Sequence, residues 1–284
     1  MSEPADLQRD QIAYWNSAGG ERWAAAQEHT DRMLEPALAA LLERARTEPG
    51  MAVLDIGCGC GATTLEFARR VGPAGRVLGA DVSQAMLARA KSRLSAYPQA
   101  ELLLADASAY PFAPFADLAV SRFGVMFFGD PTQAFANIRK AIKPGGRLLF
   151  ACWRALRENL WMRVPLEAVY SAGVGRAPRP GPDDPGPFSF AGPERVTRIL
   201  TGAGFAAPSI SPADFPVDVA AGGGLAAAVR QAMTIGPASA ALRDQPENLR
   251  IAAAQSIEKA FEPYASAQSV HLPAAIWLVE AAPG

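Results

Sequence analysis

Val53-Leu54-Asp55-Ile56-Gly57-Cys58-Gly59-Cys60-Gly61 is the stretch that decides the fold. An apolar, strand-like run meets an acid and then three alternating glycines. Glycines at this spacing let a strand turn sharply into a helix, and they let the backbone approach a ligand that any Cβ would hold off. The pattern is that of the nucleotide-cofactor loop of a Rossmann-like sheet. Dinucleotide loops aim a helix N-terminus at a pyrophosphate. Asp55, two residues before Gly57, would repel a pyrophosphate and would suit a ligand carrying positive charge, such as an ammonium or a sulfonium.

Elements of the right kind flank this loop. Upstream, Met33, Leu34, Ala37, Leu38, Leu41 and Leu42 recur at helical spacing and predict a helix from Thr30 to Arg46, broken by Glu48-Pro49-Gly50. Met51 to Ile56 is the first strand and Thr63 to Val71 the helix leaving the loop. A second strand, Arg76 to Asp81, follows a Gly-Pro-Ala-Gly turn, and Ser83 caps a helix from Gln84 toward Pro98. Glu101 to Ala105 and Leu118 to Ser121 are further strands, Asp130-Pro131 opens a helix, and Lys143-Pro144-Gly145-Gly146 turns the chain into a strand from Arg147 to Cys152. Strands alternating with helices in this way predict an α/β, Rossmann-like, doubly wound and mostly parallel sheet whose ligand sits at the carboxyl ends of its strands.

Composition changes after Trp153. Prolines and glycines crowd between Ser171 and Gly192 and exclude a regular element there. Helices are expected at Pro193 to Gly204, Leu225 to Met233 and Glu247 to Tyr264, strands at Pro208 to Val219 and His271 to Glu280, and a joint at Ala220-Ala221-Gly222-Gly223-Gly224. The expected organisation is an N-terminal helical lid over 1–48 and one domain over 49–284, with insertions at about 155–191 and 217–268.

Half of the 284 residues are hydrophobic, enough for a sizeable core, and the net charge is −1 from 27 basic and 28 acidic residues. No basic field is available to hold a nucleic-acid backbone. The N-terminus has no secretory pattern and no stretch is apolar for long enough to span a bilayer, so a cytoplasmic location and no membrane span are expected. Cys58 and Cys60, one residue apart, are poorly placed for a disulfide and fit a reducing compartment. They and Cys152 lack zinc-like spacing, so they read as small loop filler and no metal is expected.

Residues of about 50–155 resemble the class I S-adenosylmethionine-dependent methyltransferases, in particular the small-molecule branch with the ubiquinone and menaquinone C-methyltransferases. Asp55 to Gly61 is similar to the family's first motif, and Asp81-Val82-Ser83 with Met86-Leu87 to its second. Ala105-Asp106-Ala107, Pro111-Phe112, Ser121-Arg122-Phe123-Gly124 and Ile142-Lys143-Pro144-Gly145-Gly146 follow in the family's order. The resemblance implies a seven-stranded sheet with a last antiparallel strand and S-adenosylmethionine as cofactor. It also implies roles: Asp81 on the ribose hydroxyls, Asp106 and the backbone of Ala107 on adenine, Val82 and Met86 on the faces of the ring. Asp55 and Gly57 would hold the methionine end, Gly59 is a further cofactor-binding position, and Ser121 and Arg122 would face the sulfonium and the acceptor. For Arg122 a pairing with Asp117 or Asp130 is the alternative, and strand-end acids also serve as caps and turn formers.

Tyr14, Trp15 and Trp23 make the N-terminal segment aromatic, either as a lid over a sulfonium or as core packing. Displacement at a sulfonium needs no acid, and a base only where the acceptor must lose a proton; His29 is the weak candidate for one, with a surface role as its alternative, and His271 has a structural or surface role. The acceptor is expected to be a small organic molecule, aromatic, quinone-like or lipid-like, against Phe123 to Phe128, Trp153, Trp161 and Met162, residues that equally suit the core. Two other functions fit the sequence less well: an NAD-dependent oxidoreductase, because Gly57, Gly59 and Ala62 satisfy the degenerate dinucleotide pattern, and a non-catalytic S-adenosylmethionine-binding regulatory protein.

Overall fold

The computed structural model describes residues 3–176, 181 and 184–284; the remainder of the Pro/Gly-rich stretch, on which part of the expected excursion falls, lies outside the described residues. Four helices precede the sheet: α1 (Pro4–Trp15), α2 (Ala18–Ala25), α3 (Gln27–Met33) and α4 (Glu35–Ala45). The single helix expected over Thr30 to Arg46 is broken at Leu34, because Pro36 in the first turn of α4 has no N–H to continue the ladder. α3 buries Gln27, Thr30 and Met33 and α4 buries Ala37, Leu41, Leu42 and Ala45, whereas α1 buries no residue.

From there strands and helices alternate: β1 (Ala52–Ile56), α5 (Ala62–Val71), β2 (Arg76–Asp81), α6 (Gln84–Arg93), β3 (Ala100–Leu104), β4 (Ala116–Arg122), α7 (Pro131–Arg139) and β5 (Ile142–Trp153). Then follow α8 (Leu160–Ser171), α9 (Pro193–Gly202), β6 (Ser209–Asp218), α10 (Gly224–Thr234), α11 (Pro237–Ala241), α12 (Glu247–Phe261) and β7 (His271–Ala281). The sheet order is β3-β2-β1-β4-β5-β7-β6, with β1 to β5 parallel and β7 antiparallel between β5 and β6. This is the expected doubly wound sheet, and its order reverses between β1 and β4, which opens a crevice at their carboxyl ends.

The burial of each strand follows its place. β1, covered on both faces, buries Val53, Leu54 and Ile56 in unbroken succession. β6, at the edge, mixes exposed and half-buried residues and carries Pro212 and Pro216, whose missing N–H groups are tolerated there. The expected turn Lys143 to Gly146 lies inside β5 as an irregularity: pairing jumps from Ala116↔Ile142 to Leu118↔Arg147. A Cβ on Gly146 would sit 2.9 Å from the Ala116 carbonyl, so glycine is required where the two strands resume contact. α8 has no counterpart in the sequence reading, since Pro165 stands in its interior and interrupts the helical pattern.

Helix α4 is anchored to the sheet by charge. Glu280 on β7 receives Arg44 at 3.0 Å, Arg46 at 2.8 Å and Arg147 at 3.1 Å.

Candidate functional site

Three strand ends and one loop build the site. Gly57, Gly59 and Gly61 have φ of 66°, 53° and 79°, a left-handed backbone that side chains resist. At Gly57 glycine is also demanded by contact: a Cβ would lie 2.7 Å from the Gly124 Cα, where the loop after β1 crosses the loop after β4. At Gly59 a Cβ would meet only the methyl end of Met86, at 2.8 Å, so Met86 lies across the open side of the loop.

Asp81 ends β2 and ties the loop to the strand. Its Oδ2 accepts from the Gly59 N–H at 2.8 Å and its Oδ1 from the Ser83 N–H at 2.8 Å. Burial pushes its pKa up, and the N–H groups of Ser83, Gly59 and Val82 pull it back. Each oxygen retains a lone pair. Val82 and Met86 beside it are half-buried. Asn16, from the turn after α1, clamps this corner: its Nδ2 donates to the Val82 carbonyl at 2.8 Å and its Oδ1 accepts from the Gln84 N–H at 3.2 Å.

Asp106 follows β3. Its Oδ1 accepts from the Ser108 N–H at 2.8 Å and its Oδ2 from Gln8 Nε2 at 3.0 Å, and Gln8 Oε1 in turn accepts from the Gly129 N–H at 2.8 Å. Ala107 is buried, its carbonyl accepting from Asn137 at 3.0 Å.

Asp55 is different in kind. It is fully buried, and only one oxygen is satisfied, by the Thr64 hydroxyl at 2.6 Å; Oδ1 has no partner. Burial raises its pKa to about 7, against the pull of Thr64 and of the Arg122 charge. Arg122, at the end of β4, is its counterpart: burial lowers its pKa, Nη1 is buried without a partner, and Nη2 lies 4.0 Å from Asp31 Oδ1. Neither Asp117 nor Asp130 pairs with Arg122. Asp117 holds Lys143 and the Ala52 N–H, and Asp130 caps α7 through the Gln133 N–H. Asp31 also holds Arg93 at 2.7 Å, and Arg93 donates to the Cys60 carbonyl, so α3 is bound to the glycine loop.

Ser121 is engaged in the framework: its hydroxyl donates to the Ile56 carbonyl at 2.7 Å and accepts from the Gly124 N–H at 3.2 Å. His29 stands away from the loop. Its Nε2 lies 2.9 Å from the Val219 carbonyl, beside a surface cavity of about 350 Å3 that Arg32 and Ala221 help line. Asp31, two residues on and so on the opposite face of α3, is the one that faces the loop. Burial pushes the Cys60 thiol up to about 11 and the Cys58 thiol well above its ordinary value, so both stay neutral.

Trp15 and Trp23 lie on separate helices, yet their rings meet at 6.0 Å, and Trp15 also meets Phe127 at 5.3 Å. Phe123 carries a left-handed φ of 69°, unusual for an aromatic residue, and stacks on Trp153 at 4.0 Å and 7°. Gln8, Asn16, Asp31 and Phe123 were not singled out by the sequence in these roles, because each depends on a contact distant along the chain. The positive φ at Phe123 has no sequence signal.

Comparison with known proteins accords with this geometry. Residues 53–146 match the family model described as a methyltransferase domain. A 2-phytyl-1,4-naphthoquinone methyltransferase of Thermosynechococcus vestitus is 43% identical over 100 residues, 34% of this chain and 44% of that protein. A ubiquinone/menaquinone biosynthesis C-methyltransferase of Bordetella avium is 36% identical over 116 residues, 39% of this chain and 44% of that protein. The chain thus spans less than half the length of these relatives. Among solved structures, a putative methyltransferase of Bacillus halodurans superimposes with a TM-score of 0.54 at 17% identity, over 86% of this chain and 97% of that one.

Proposed function

Since residues 53–146 form a class I methyltransferase domain similar to the quinone C-methyltransferases, we propose that the chain transfers a methyl group from S-adenosylmethionine to a small organic acceptor. One observation carries this reading: two buried side chains of opposite charge stand at the switch point of the sheet, and each has an atom with no hydrogen-bond partner, Asp55 Oδ1 and Arg122 Nη1, while Arg122 Nη2 lies 4.0 Å from Asp31. A ligand that brings an ammonium and a carboxylate together satisfies both, and the amino-acid end of S-adenosylmethionine is such a group. A pyrophosphate would satisfy Arg122 alone and would leave Asp55 facing like charge.

The remaining contacts fit the same molecule. Asp81 has lone pairs left for two ribose hydroxyls, and Val82 and Met86 offer apolar faces to adenine. Asp106 exchanges its Gln8 partner for the adenine amino group, with the Ala107 N–H as the neighbouring donor. Gly57 and Gly59 keep Cβ atoms out of the path. The bound cofactor supplies an electrophilic methyl on sulfur, which leaves as part of a neutral thioether when the acceptor attacks in line. The chain's own part is alignment and exclusion of water. Helices α1 to α3 act as a lid: Gln8, Asn16 and Asp31 each bridge it to a strand end or to the glycine loop. Ser121 supports the site by holding the ends of β1 and β4 together. His29, turned toward Val219, has no part in proton transfer.

The acceptor is uncharged and largely apolar, in keeping with the aromatic lining from Phe123 to Trp161 and with the quinone substrates named for the relatives. No helix among the described residues is long and apolar enough to cross a membrane, and the acceptor is met in the cytoplasm. The test combines thermal shift with turnover. S-adenosylhomocysteine should raise the Tm, and labelled methyl from S-adenosylmethionine should appear in a member of a panel of quinols, phenols and amines. Stabilisation by NAD without response to S-adenosylhomocysteine would favour an oxidoreductase. Binding with no transfer to any acceptor would favour a regulatory role.

A further inference from the structure

A second pair of unpartnered groups lies outside the strand ends. Between α3, α8, α10 and α11 is a cavity lined by Met33, Trp161, Met162, Val219, Gln231 and Ile235 among others, with no ionisable side chain in its walls. Trp161 and Gln231 are 8% and 7% exposed, and Trp161 Nε1 and Gln231 Nε2 are both buried donors with no acceptor. A buried donor left without a partner is unfavourable, because its hydration is lost and nothing replaces it. Two of them in one apolar cavity mark a place where an acceptor atom belongs.

A run of ring contacts leads from the cavity wall to the strand ends. Phe123, next to Arg122, stacks on Trp153 at 4.0 Å, and Trp153 meets Trp161 at 5.2 Å. The helix opposite Trp161 is flanked by glycines. Gly222 and Gly224 precede and open α10 with φ of 81° and 73°, and Gly236 follows it with φ of 88°. Gly222 and Gly236 have no atom within 4 Å of a Cβ position, so close packing does not fix them. As closed, the cavity measures about 20 Å3, the size for one water molecule. A larger occupant requires α10 and α11 to move away from α8, and the opening is part of the inference that follows.

We infer that this cavity is the anchoring subsite for the methyl acceptor. Its occupant is an uncharged molecule with an apolar body and a carbonyl-type oxygen, which accepts from Trp161 Nε1 and Gln231 Nε2 while the body lies along Trp161 and Trp153 toward Phe123. The absence of ionisable side chains in the walls excludes a charged head, and the paired donors select an oxygen over a plain hydrocarbon. This inference rests on the methyltransferase reading and adds the part of the acceptor that is recognised.

The test is an NMR titration of the 15N-labelled full chain with acetophenone, alongside ethylbenzene, which lacks the oxygen, and benzoate, which carries a charge. Acetophenone should move the Trp161 indole N–H signal, identified by its loss in Trp161→Phe. Ethylbenzene and benzoate should bind roughly tenfold more weakly or not at all, and Gln231→Leu should weaken acetophenone by roughly tenfold. Gln231→Leu should keep the full thermal shift with S-adenosylhomocysteine, which separates a lost contact from a lost fold. A Trp161 signal that answers to none of the three compounds means a cavity filled by water alone and overturns the inference. So does ethylbenzene acting as strongly as acetophenone. If S-adenosylhomocysteine stabilises the protein and acetophenone leaves Trp161 unmoved, the subsite fails and the methyltransferase reading stands. If acetophenone binds and S-adenosylhomocysteine does not, the cavity is not an acceptor subsite and the methyltransferase reading fails with it.

Discussion

The sheet side of the site and its helical side are positioned by different means. On the sheet side, Asp81 is fixed by backbone N–H groups of the glycine loop and of its own turn, and Gly57 by backbone contact with Gly124. On the helical side, α1 buries none of its residues, and the segment is held by polar bridges, Gln8 to Asp106, Asn16 to Val82 and Gln84, Asp31 to Arg93, by the Trp15–Phe127 ring contact and by Met33, buried in α3. The first arrangement is preorganised and survives opening of the second. The second yields at modest cost, as a cover over a cofactor must.

Variants on the two sides should therefore behave differently. The largest effect is expected from Asp81→Ala, which removes both the proposed ribose acceptor and the anchor of the Gly59 N–H. Affinity for S-adenosylhomocysteine should fall by roughly 100-fold or more in calorimetry, with the circular dichroism spectrum unchanged.

Asp55→Asn is next, and it should separate binding from stability. Because burial raises the pKa of Asp55 to about 7, the folded protein retains a proton that the unfolded chain releases from about pH 4 upward. Stability from this group therefore declines between those values and is level above pH of about 7. The Asn variant, which still accepts from Thr64, should have a higher Tm than the parent near pH 8 and lose that advantage toward pH 4. Cofactor affinity should fall by roughly tenfold near pH 8 in the same variant. In the parent it should strengthen as pH rises toward 7, by up to about tenfold per unit, as the carboxylate that faces the ammonium ionises.

Glu280→Gln is a smaller perturbation that tests the anchoring of α4. Three arginines lose their shared carboxylate, and stability should fall by about 1–2 kcal/mol in denaturant melts, with cofactor affinity unchanged. Gln8→Ala should have the smallest equilibrium effect. Releasing Asp106 from Gln8 should speed association of S-adenosylhomocysteine in stopped flow, with its Kd altered by no more than about threefold. A larger loss of affinity would mean that Gln8 is a contact for the bound cofactor and not a gate.

What the sequence disclosed divides along the same line. The glycine loop and the acids after β2 and β3 are legible because local rules govern them: a left-handed turn needs glycine, and the end of a parallel strand is where a ligand sits. Strand β2 and the cap at Ser83 stand where local pattern put them. The helical side obeys no such rule. Arg122 looked for a partner among the nearby acids Asp117 and Asp130, and found Asp31 from the N-terminal segment. Gln8 meets an acid 98 residues away. Trp161 and Gln231 come together only because α8 and α10 pack around one cavity, and the proline inside α8 hid even that helix. Local patterns specify the framework, while the groups of the helical side are brought together by packing.

The ends of β1, β2 and β3 are proposed to hold S-adenosylmethionine beneath a helical cover. Hydrogen exchange with and without S-adenosylhomocysteine reports on both sides of the site in one experiment. Exchange should slow at Gly57 to Gly61, at Val82 to Met86 and at Ala107 to Ser108, together with α1 and α2. No change on addition of S-adenosylhomocysteine, or protection confined to the surface cavity beside His29, would contradict it.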